Sequence, residues 1–305
     1  MQTRKIGSLE ASVIGIGTNN FGGRIDEQRS RTVVDAALDA GITLFDTADI
    51  YGGTASEEIL GRALAGRRDE AIIATKFGMK IDEEHAGGAR PEYVRAALED
   101  SLRRLGTDRV DLYILHQPDA ETPIGETLGA LDELVRAGKI REIGCSNFSA
   151  EQLAEADAAA TGARFVNVQN EYSLLDRTPE RDVLPACERL GIAFVPYFPL
   201  GGGLLSGKYR GGQMPEGARL STLPEERRNR FHNERNLAIV EQVHEFATAR
   251  GRSVLDAAIA FLLGQPAVAS VIAGATTPEQ VRANAAAGEW RMDDAELAEL
   301  GRITA

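Results

Sequence analysis

The sequence predicts an α/β fold, and within that class a (β/α)8 TIM barrel. Short β-branched or aliphatic runs alternate with longer stretches of helical period, a pattern typical of repeated βα units around a parallel sheet. Eight such runs can be counted, and a hydrophobic content of 43% over 305 residues is enough for one large core. We therefore expect residues 1–305 to form a single domain.

The predicted strands are short, as buried parallel strands usually are. In chain order they cover residues 13–17, 43–46, 71–76, 110–115, 142–146, 165–169, 193–197 and 270–273. Helices are predicted between them, among others over residues 28–40, 91–105, 123–137 and 277–287. Pro91 suits a first helical turn, Ser149 can cap the helix that follows it, and Gly41 and Gly138 mark helix ends.

Two segments fall outside the repeat. Residues 1–12, with a turn at Gly7 and Ser8, predict an N-terminal β-hairpin that closes the floor of the barrel. Residues 201–233 are rich in Gly, Pro and Arg and form a long loop after strand seven, either functional or partly disordered. Barrel enzymes commonly build phosphate sites in this place.

Composition excludes several classes of function. The formal net charge of -12 disfavours nucleic acid and anionic membrane surfaces as partners. No stretch approaches the ~20 apolar residues of a membrane span, and Met1 leads into polar residues without an apolar signal region. Cys145 and Cys187 predict buried, reduced thiols and no metal site. We expect a cytoplasmic small-molecule enzyme with no obligate protein partner.

Four titratable residues stand at the carboxyl ends of three neighbouring strands. Strand two ends in Asp46 with Tyr51 just beyond it, strand three ends in Lys76, and His116 follows strand four. Barrel enzymes build their active sites at this rim. Each residue alone has a structural reading, such as a turn, a cap or a solvated ammonium, but the joint placement favours a functional site.

These residue types together make an acid–base device. A tyrosine has a reference pKa of ~10, and a nearby ammonium favours its phenolate. Lys76 ends an apolar run, so its charge needs an anionic partner, and Asp46 is the obvious one. His116 can orient a carbonyl oxygen through a hydrogen bond.

The segments 46–52 (DTADIYG), 74–78 (ATKFG) and 116–119 (HQPD) resemble the catalytic segments of the aldo-keto reductase family. Residues 138–148 (GKIREIGCSNF), 168–172 (VQNEY), 196–200 (PYFPL) and 207–209 (GKY) extend the resemblance along the chain, which is most similar to a bacterial branch related to potassium-channel β-subunits. The resemblance implies that Tyr51 is the general acid, that Lys76 lowers its pKa, that Asp46 pairs with Lys76 and that His116 orients the carbonyl.

The resemblance also implies a nicotinamide cofactor, with Tyr197 stacking on its ring. Ser146, Asn147 and Gln169 would bind the carboxamide, and Leu200, Gly201 and Lys208 the pyrophosphate. The remaining expected cofactor contacts are Thr18, Asn19, Asp46, Gly274, Thr276, Gln280 and Asn284. The basic residue that NADPH-dependent relatives carry after Gly274 and Ala275 is missing here, and Arg282 is the nearest alternative. NADP(H) stays favoured and NAD(H) stays possible.

The expected substrate contacts are Phe21, Tyr51 and His116. Many relatives carry a large aromatic residue at the position of Asn19, so the pocket wall is smaller and more polar and suits a more polar or bulkier substrate. We expect an NAD(P)H-dependent oxidoreductase that reduces aldehydes or ketones to alcohols. The alternatives are a cofactor-binding regulatory subunit without turnover and a Schiff-base lyase that uses Lys76 as nucleophile.

Overall fold

The computed structural model describes residues 1–209, 214, 218–222 and 224–305. Eight parallel strands form one curled sheet in the order β10-β3-β4-β5-β6-β7-β8-β9. Every neighbouring pair in this sheet is parallel, which confirms the predicted barrel. The sheet strands are β3 (Ile14–Gly17), β4 (Leu44–Asp46), β5 (Ile72–Phe77), β6 (Val110–Leu115), β7 (Ile140–Ser146), β8 (Phe165–Gln169), β9 (Ala193–Phe194) and β10 (Val271–Gly274).

Helices connect the strands and surround the sheet. The four predicted helices lie within one residue of their expected ends, and Ser149 forms a capping box with Gln152 as expected. The helices of the described residues are α1 (Glu27–Asp39), α2 (Ala55–Ala63), α3 (Pro91–Leu105), α4 (Ile124–Arg136), α5 (Ala150–Ala159), α6 (Val183–Leu190), α7 (Glu225–Phe231), α8 (Glu234–Thr248), α9 (Val254–Leu263), α10 (Pro278–Ala287) and α11 (Asp294–Ile303).

The seventh barrel strand is shorter than predicted. The sequence predicted residues 193–197, whereas β9 covers only Ala193–Phe194. Pro196 has no N–H to continue a ladder, and Phe198 then turns the backbone to a φ of 51°. Backbone hydrogen bonds from Phe194 N to Ala267 O (2.8 Å) and from Ile272 N to Pro196 O (3.2 Å) nevertheless join this edge to the segment around β10. These bonds close the ring of strands.

The N-terminal hairpin covers one end of the barrel. It consists of β1 (Thr3–Ile6) and β2 (Leu9–Ser12), which pair antiparallel across the predicted turn at Gly7 and Ser8. Ile6 and Leu9 are buried against side chains from inside the barrel, including Leu112. The floor is therefore sealed by apolar packing, and the opposite end carries the polar side chains.

The segment after β9 is not a plain loop. It begins with a 3-10 helical stretch, Gly201–Ser206, and contains a second one at Arg219–Thr222 before helix α7. Arg230 of α7 forms an ion pair with Glu171 at 2.8 Å, which ties this helix to the end of β8. Part of the predicted loop, residues 210–213, 215–217 and 223, lies outside the described residues.

Candidate active site

The period of two along each strand sends alternate side chains into the barrel. Leu44 of β4 and Ala74 of β5 belong to the apolar cluster above the hairpin. Two residues further along these strands are Asp46 and Lys76, so their side chains lie one layer higher, at the open rim. The rim contains a cavity of about 670 Å³ lined by all four predicted catalytic residues.

Lys76 and Asp46 form a buried ion pair. The Lys76 Nζ lies 2.5 Å from the Asp46 Oδ1, and the lysine side chain is 2% exposed. Lys76 also donates to the backbone oxygen of Thr47, and Gln169 Nε2 donates to the other carboxylate oxygen of Asp46 at 2.7 Å. Burial by itself lowers the pKa of Lys76, but the charges and hydrogen bonds of Asp46 and Tyr51 together outweigh burial, so the pKa is raised. Lys76 therefore remains an ammonium at neutral pH.

The Tyr51 hydroxyl faces this ion pair. Lys76 Nζ donates to the Tyr51 oxygen at 3.4 Å and lies 5.0 Å from the centre of its ring. Lys76 lowers the pKa of Tyr51, in the expected direction, but it is not the largest influence on that phenol. Burial raises the pKa of Tyr51 and outweighs the opposing charge of Lys76. Tyr51 thus keeps its proton at neutral pH, as a proton donor must.

His116 is the neutral partner of this set. Its ring lies edge-to-face with the Tyr51 ring, with centroids 5.8 Å apart. Burial, and secondarily the charge of Lys76, lowers the pKa of His116 to about 3. The imidazole is therefore uncharged at physiological pH. Its Nδ1 has no hydrogen-bond partner among the described residues.

A hydrogen-bonded network spans the ends of β7, β8 and β9. Ser146 Oγ donates to the backbone oxygen of Gln169 at 2.8 Å, and Asn147 Nδ2 donates to the His116 backbone oxygen at 2.9 Å. Tyr197 OH donates to Asn147 Oδ1 at 2.6 Å. Asn147 adopts a left-handed φ of 63°, a conformation that asparagine tolerates better than most residues. All four predicted nicotinamide contacts line the cavity.

The cavity continues from the catalytic residues to helix α10. Its predicted lining residues here are Asn19, Leu200, Lys208, Gly274, Thr276, Gln280 and Asn284. Gln280 accepts a hydrogen bond from the backbone N–H of Thr276 at 2.8 Å. Asn284 is 3% exposed and its Nδ2 has no partner among the described residues. This buried amide fits a ligand with a hydrogen-bond acceptor.

Three predicted contacts lie outside the cavity lining. Thr18 is fully buried and its hydroxyl bonds Ser56 Oγ at 2.8 Å, so it supports the loop instead of facing a ligand. Phe21 is fully buried in the main hydrophobic core and does not line the cavity. Gly201 is buried and does not line the cavity, whereas the next two residues, Gly202 and Gly203, do. All three residues lie outside the barrel strands, where strand periodicity gives no guidance.

Several cavity residues escaped the sequence reasoning. They are Asn20, Arg24, Met79, Gln117, Phe198 and Arg219. Arg219 is the most informative, because a methyl group placed on Gly274 would lie 3.9 Å from its Nη1. Its sequence signal was only its place in the Arg-rich loop. Arg282, by contrast, forms an ion pair with Glu279 on the outside of α10 and does not line this cavity.

The geometry is that of an acid–base site beside a long cavity, and comparison with known proteins identifies the family. The family model described as "Aldo/keto reductase family" matches residues 13–305. The chain belongs to the aldo-keto reductase family. Members of this family are oxidoreductases that act on carbonyl compounds and use nicotinamide cofactors.

Aldo-keto reductases from distant organisms resemble this one over nearly their whole length. Aldo-keto reductase YhdN of Bacillus subtilis is 38% identical, over 97% of this chain and 90% of the relative. Aldo-keto reductase yakc [NADP(+)] of Schizosaccharomyces pombe is 36% identical, over 98% and 90%. The solved structure of the glycerol dehydrogenase AKR11B4 from Gluconobacter oxydans has 34% identity, a TM-score of 0.83 and coverage of 99% and 94%.

Within the described part of the chain, no group of His, Cys, Asp or Glu has the arrangement of a metal site, and both cysteines are buried and free. None of the helices in the described ranges is long and apolar enough to cross a membrane.

Proposed function

We propose that this aldo-keto reductase is an NADP(H)-dependent carbonyl reductase that works as one unit over residues 1–305, with Tyr51 as the general acid. The observation that carries the proposal is the half-buried Tyr51 beside the buried ion pair of Lys76 and Asp46, with an uncharged His116 next to it. Tyr51 provides the proton, the fixed ammonium of Lys76 stabilises the phenolate that remains, and the neutral imidazole of His116 orients the carbonyl.

Each residue has a distinct role. His116 donates a hydrogen bond to the substrate carbonyl and orients it, since an uncharged imidazole carries one N–H. Tyr51 transfers its hydroxyl proton to the carbonyl oxygen as that oxygen gains negative charge. The ammonium of Lys76, held by Asp46, stabilises the phenolate that remains until solvent returns a proton. The reduced nicotinamide, when bound, supplies the hydride.

The residues that would hold the cofactor follow the cavity. Ser146, Asn147 and Gln169 would bind the carboxamide, and Tyr197 would lie against the ring. Gly202 and Gly203, which have left-handed φ values of 68° and 104°, let the backbone approach the phosphates closely. The Nδ2 of Asn284, which has no partner within the described part of the chain, supports an adenine with its acceptor nitrogens at the far end.

Arg219 supports NADP(H) over NAD(H). Its guanidinium lies beside Gly274, the place where the sequence lacks a basic residue of its own. A guanidinium binds phosphate through two parallel N–H donors. Replacing Arg219 with Met should raise the Kd for NADPH at least ten-fold and leave the Kd for NADH within about two-fold, measured by protein fluorescence. Equal losses for both cofactors would remove Arg219 from this role.

The cavity walls near the catalytic residues support small, polar carbonyl substrates. Asn19 and Gln117 carry amides, and Met79 supplies the apolar contact. The relative from Gluconobacter oxydans is named a glycerol dehydrogenase, and glycerol is a polar alcohol. A panel of sugar, aliphatic and aromatic aldehydes tests this class, and exclusive turnover of aromatic ones would contradict it.

Tyr51→Phe is the decisive variant for the mechanism. It removes one hydroxyl and should lower kcat at least 100-fold while the Kd for NADPH stays within about two-fold. Wild-type rates in this variant would show that another group gives the proton. The Schiff-base alternative requires a neutral lysine, which the 2.5 Å contact with Asp46 opposes, and borohydride should trap no substrate on Lys76.

A further inference from the structure

Asp49 is a buried acid that the proposed reaction does not use. It lies between Asp46 and Tyr51 in sequence and is 1% exposed. Neither of its carboxylate oxygens has a hydrogen-bond partner among the described residues. A charged carboxylate in this condition would be costly, because burial without compensation strongly disfavours the ionised form.

The cations around Asp49 already have carboxylate partners. Arg104 of α3 contacts Glu57 of α2 through Nε and Oε2 at 2.6 Å, and Glu57 is fully buried. Lys76 of β5 is paired with Asp46. These two pairs are each electrically neutral, so an ionised Asp49 would be one excess negative charge in the cluster.

The other titratable groups that face Asp49 cannot supply a positive charge. Tyr93 of α3 and Tyr113 of β6 interact with its charge, and burial first, then Asp49, raises the pKa of Tyr93 to about 12. Both phenols therefore stay neutral. Burial, and next the charge of Glu57, raises the pKa of Asp49 itself to about 7, with Arg104, the nearby backbone N–H of Ile50 and Lys76 acting in the opposite sense.

Asp49 is also tied to the catalytic residues through the backbone. Its N–H donates to the backbone oxygen of Lys76 at 3.1 Å. Thr75, the residue before Lys76, donates its hydroxyl to Glu57 at 2.5 Å. The charge of Asp49 acts on Tyr51 as well, where it raises the pKa of the phenol and so opposes loss of the proton.

We propose that Asp49 is a positioning residue held as a neutral carboxylic acid, and that its ionisation in alkaline solution makes Tyr51 a weaker acid. The proposal rests on the proposed function, because it concerns the proton that Tyr51 exchanges. In the reduction direction below pH 7 the cluster stays neutral and Tyr51 keeps its proton. In alcohol oxidation above pH 8, Tyr51 must lose its proton against the added charge of Asp49.

The test compares wild type with Asp49→Asn, which keeps the size of the side chain and cannot ionise. In alcohol oxidation with NADP+, the pH at which kcat/KM reaches half its alkaline plateau should fall by several tenths of a unit to about one unit in the variant. Asp39→Asn, which makes the same change on an exposed surface of α1, should leave the profile unchanged. Coincident profiles for Asp49→Asn and wild type would overturn the coupling to Tyr51.

A second measurement needs no turnover. Infrared difference spectra of wild type between pH 5.5 and pH 8.5 should show one protonated-carboxyl band lost near neutrality, and Asp49→Asn identifies its source. Absence of such a band in wild type would overturn a neutral Asp49. Failure of the protein to act on any carbonyl or alcohol would count against the proposed function, while the infrared result would still decide the charge of Asp49.

Discussion

Asp49→Asn should stabilise the protein in a pH-dependent way. The pKa of Asp49 rises from 3.8 to about 7 on folding, mainly through burial. One pKa unit corresponds to about 1.4 kcal/mol, so ionising Asp49 in the folded protein costs on the order of 4 kcal/mol relative to the unfolded chain. The amide of Asn carries no charge and avoids this cost.

The sign follows from proton binding. Between about pH 4 and pH 7 the folded protein keeps a proton on Asp49 that the unfolded chain has released, so this group lowers the free energy of unfolding as the pH rises. Above about pH 7 both states are ionised and the loss is complete. The stability gap between Asp49→Asn and wild type should therefore widen by about 3 kcal/mol from pH 5 to pH 8.

Urea unfolding followed by circular dichroism at pH 5, 6.5 and 8 measures this gap. Comparing pH values cancels any constant packing difference between the two side chains. Asp39→Asn provides the control, because an exposed carboxylate should change stability by less than about 0.5 kcal/mol at each pH. A gap for Asp49→Asn that stays constant from pH 5 to pH 8 would refute the reasoning, since it would mean that Asp49 is ionised throughout.

Two further predictions concern the catalytic rim. Since the pKa of His116 is about 3, its titration should cause no inflection in the pH profile of kcat/KM for reduction between pH 5 and 8. An inflection in this range that is present in wild type and absent in His116→Gln would mean that the imidazole titrates. Gly52 has a φ of 61°, and a Cβ added at this glycine would lie 2.4 Å from the backbone oxygen of Phe21. Gly52→Ala should therefore displace Tyr51 and lower kcat/KM at least ten-fold. Gly53→Ala, with a φ of 62° and no atom within 4 Å of the added Cβ, is the matched control and should retain kcat/KM within about three-fold.

Sequence patterns predicted the barrel well, because local periodicity determines which runs become strands and helices. The same patterns placed Asp46, Lys76 and His116 at strand ends, and the topology of a parallel barrel then brings those ends together. The hairpin was predictable from a turn at Gly7 between two short strands. These successes share one cause, which is that strand period fixes side-chain direction.

Predictions for loop residues were poorer, because loops lack the strand period that fixes side-chain direction. The sequence could not show that Phe21 turns into the core, or that Arg219 returns from a distant segment to Gly274. The extent of burial could not be read from the sequence either, so the lowering of the pKa of Tyr51 by Lys76 was predicted but the larger rise caused by burial was not. Asp49 went unnoticed because nothing local shows that its surrounding cations are already paired.

The most direct test of the proposed reductase is titration of the purified protein with NADPH and, separately, NADH, followed by addition of a polar aldehyde while the absorbance of the reduced cofactor is recorded. We predict tighter binding of NADPH and oxidation of the cofactor in wild type, with binding but no oxidation in Tyr51→Phe. Binding of neither cofactor, or equal oxidation by wild type and Tyr51→Phe, would contradict the assignment.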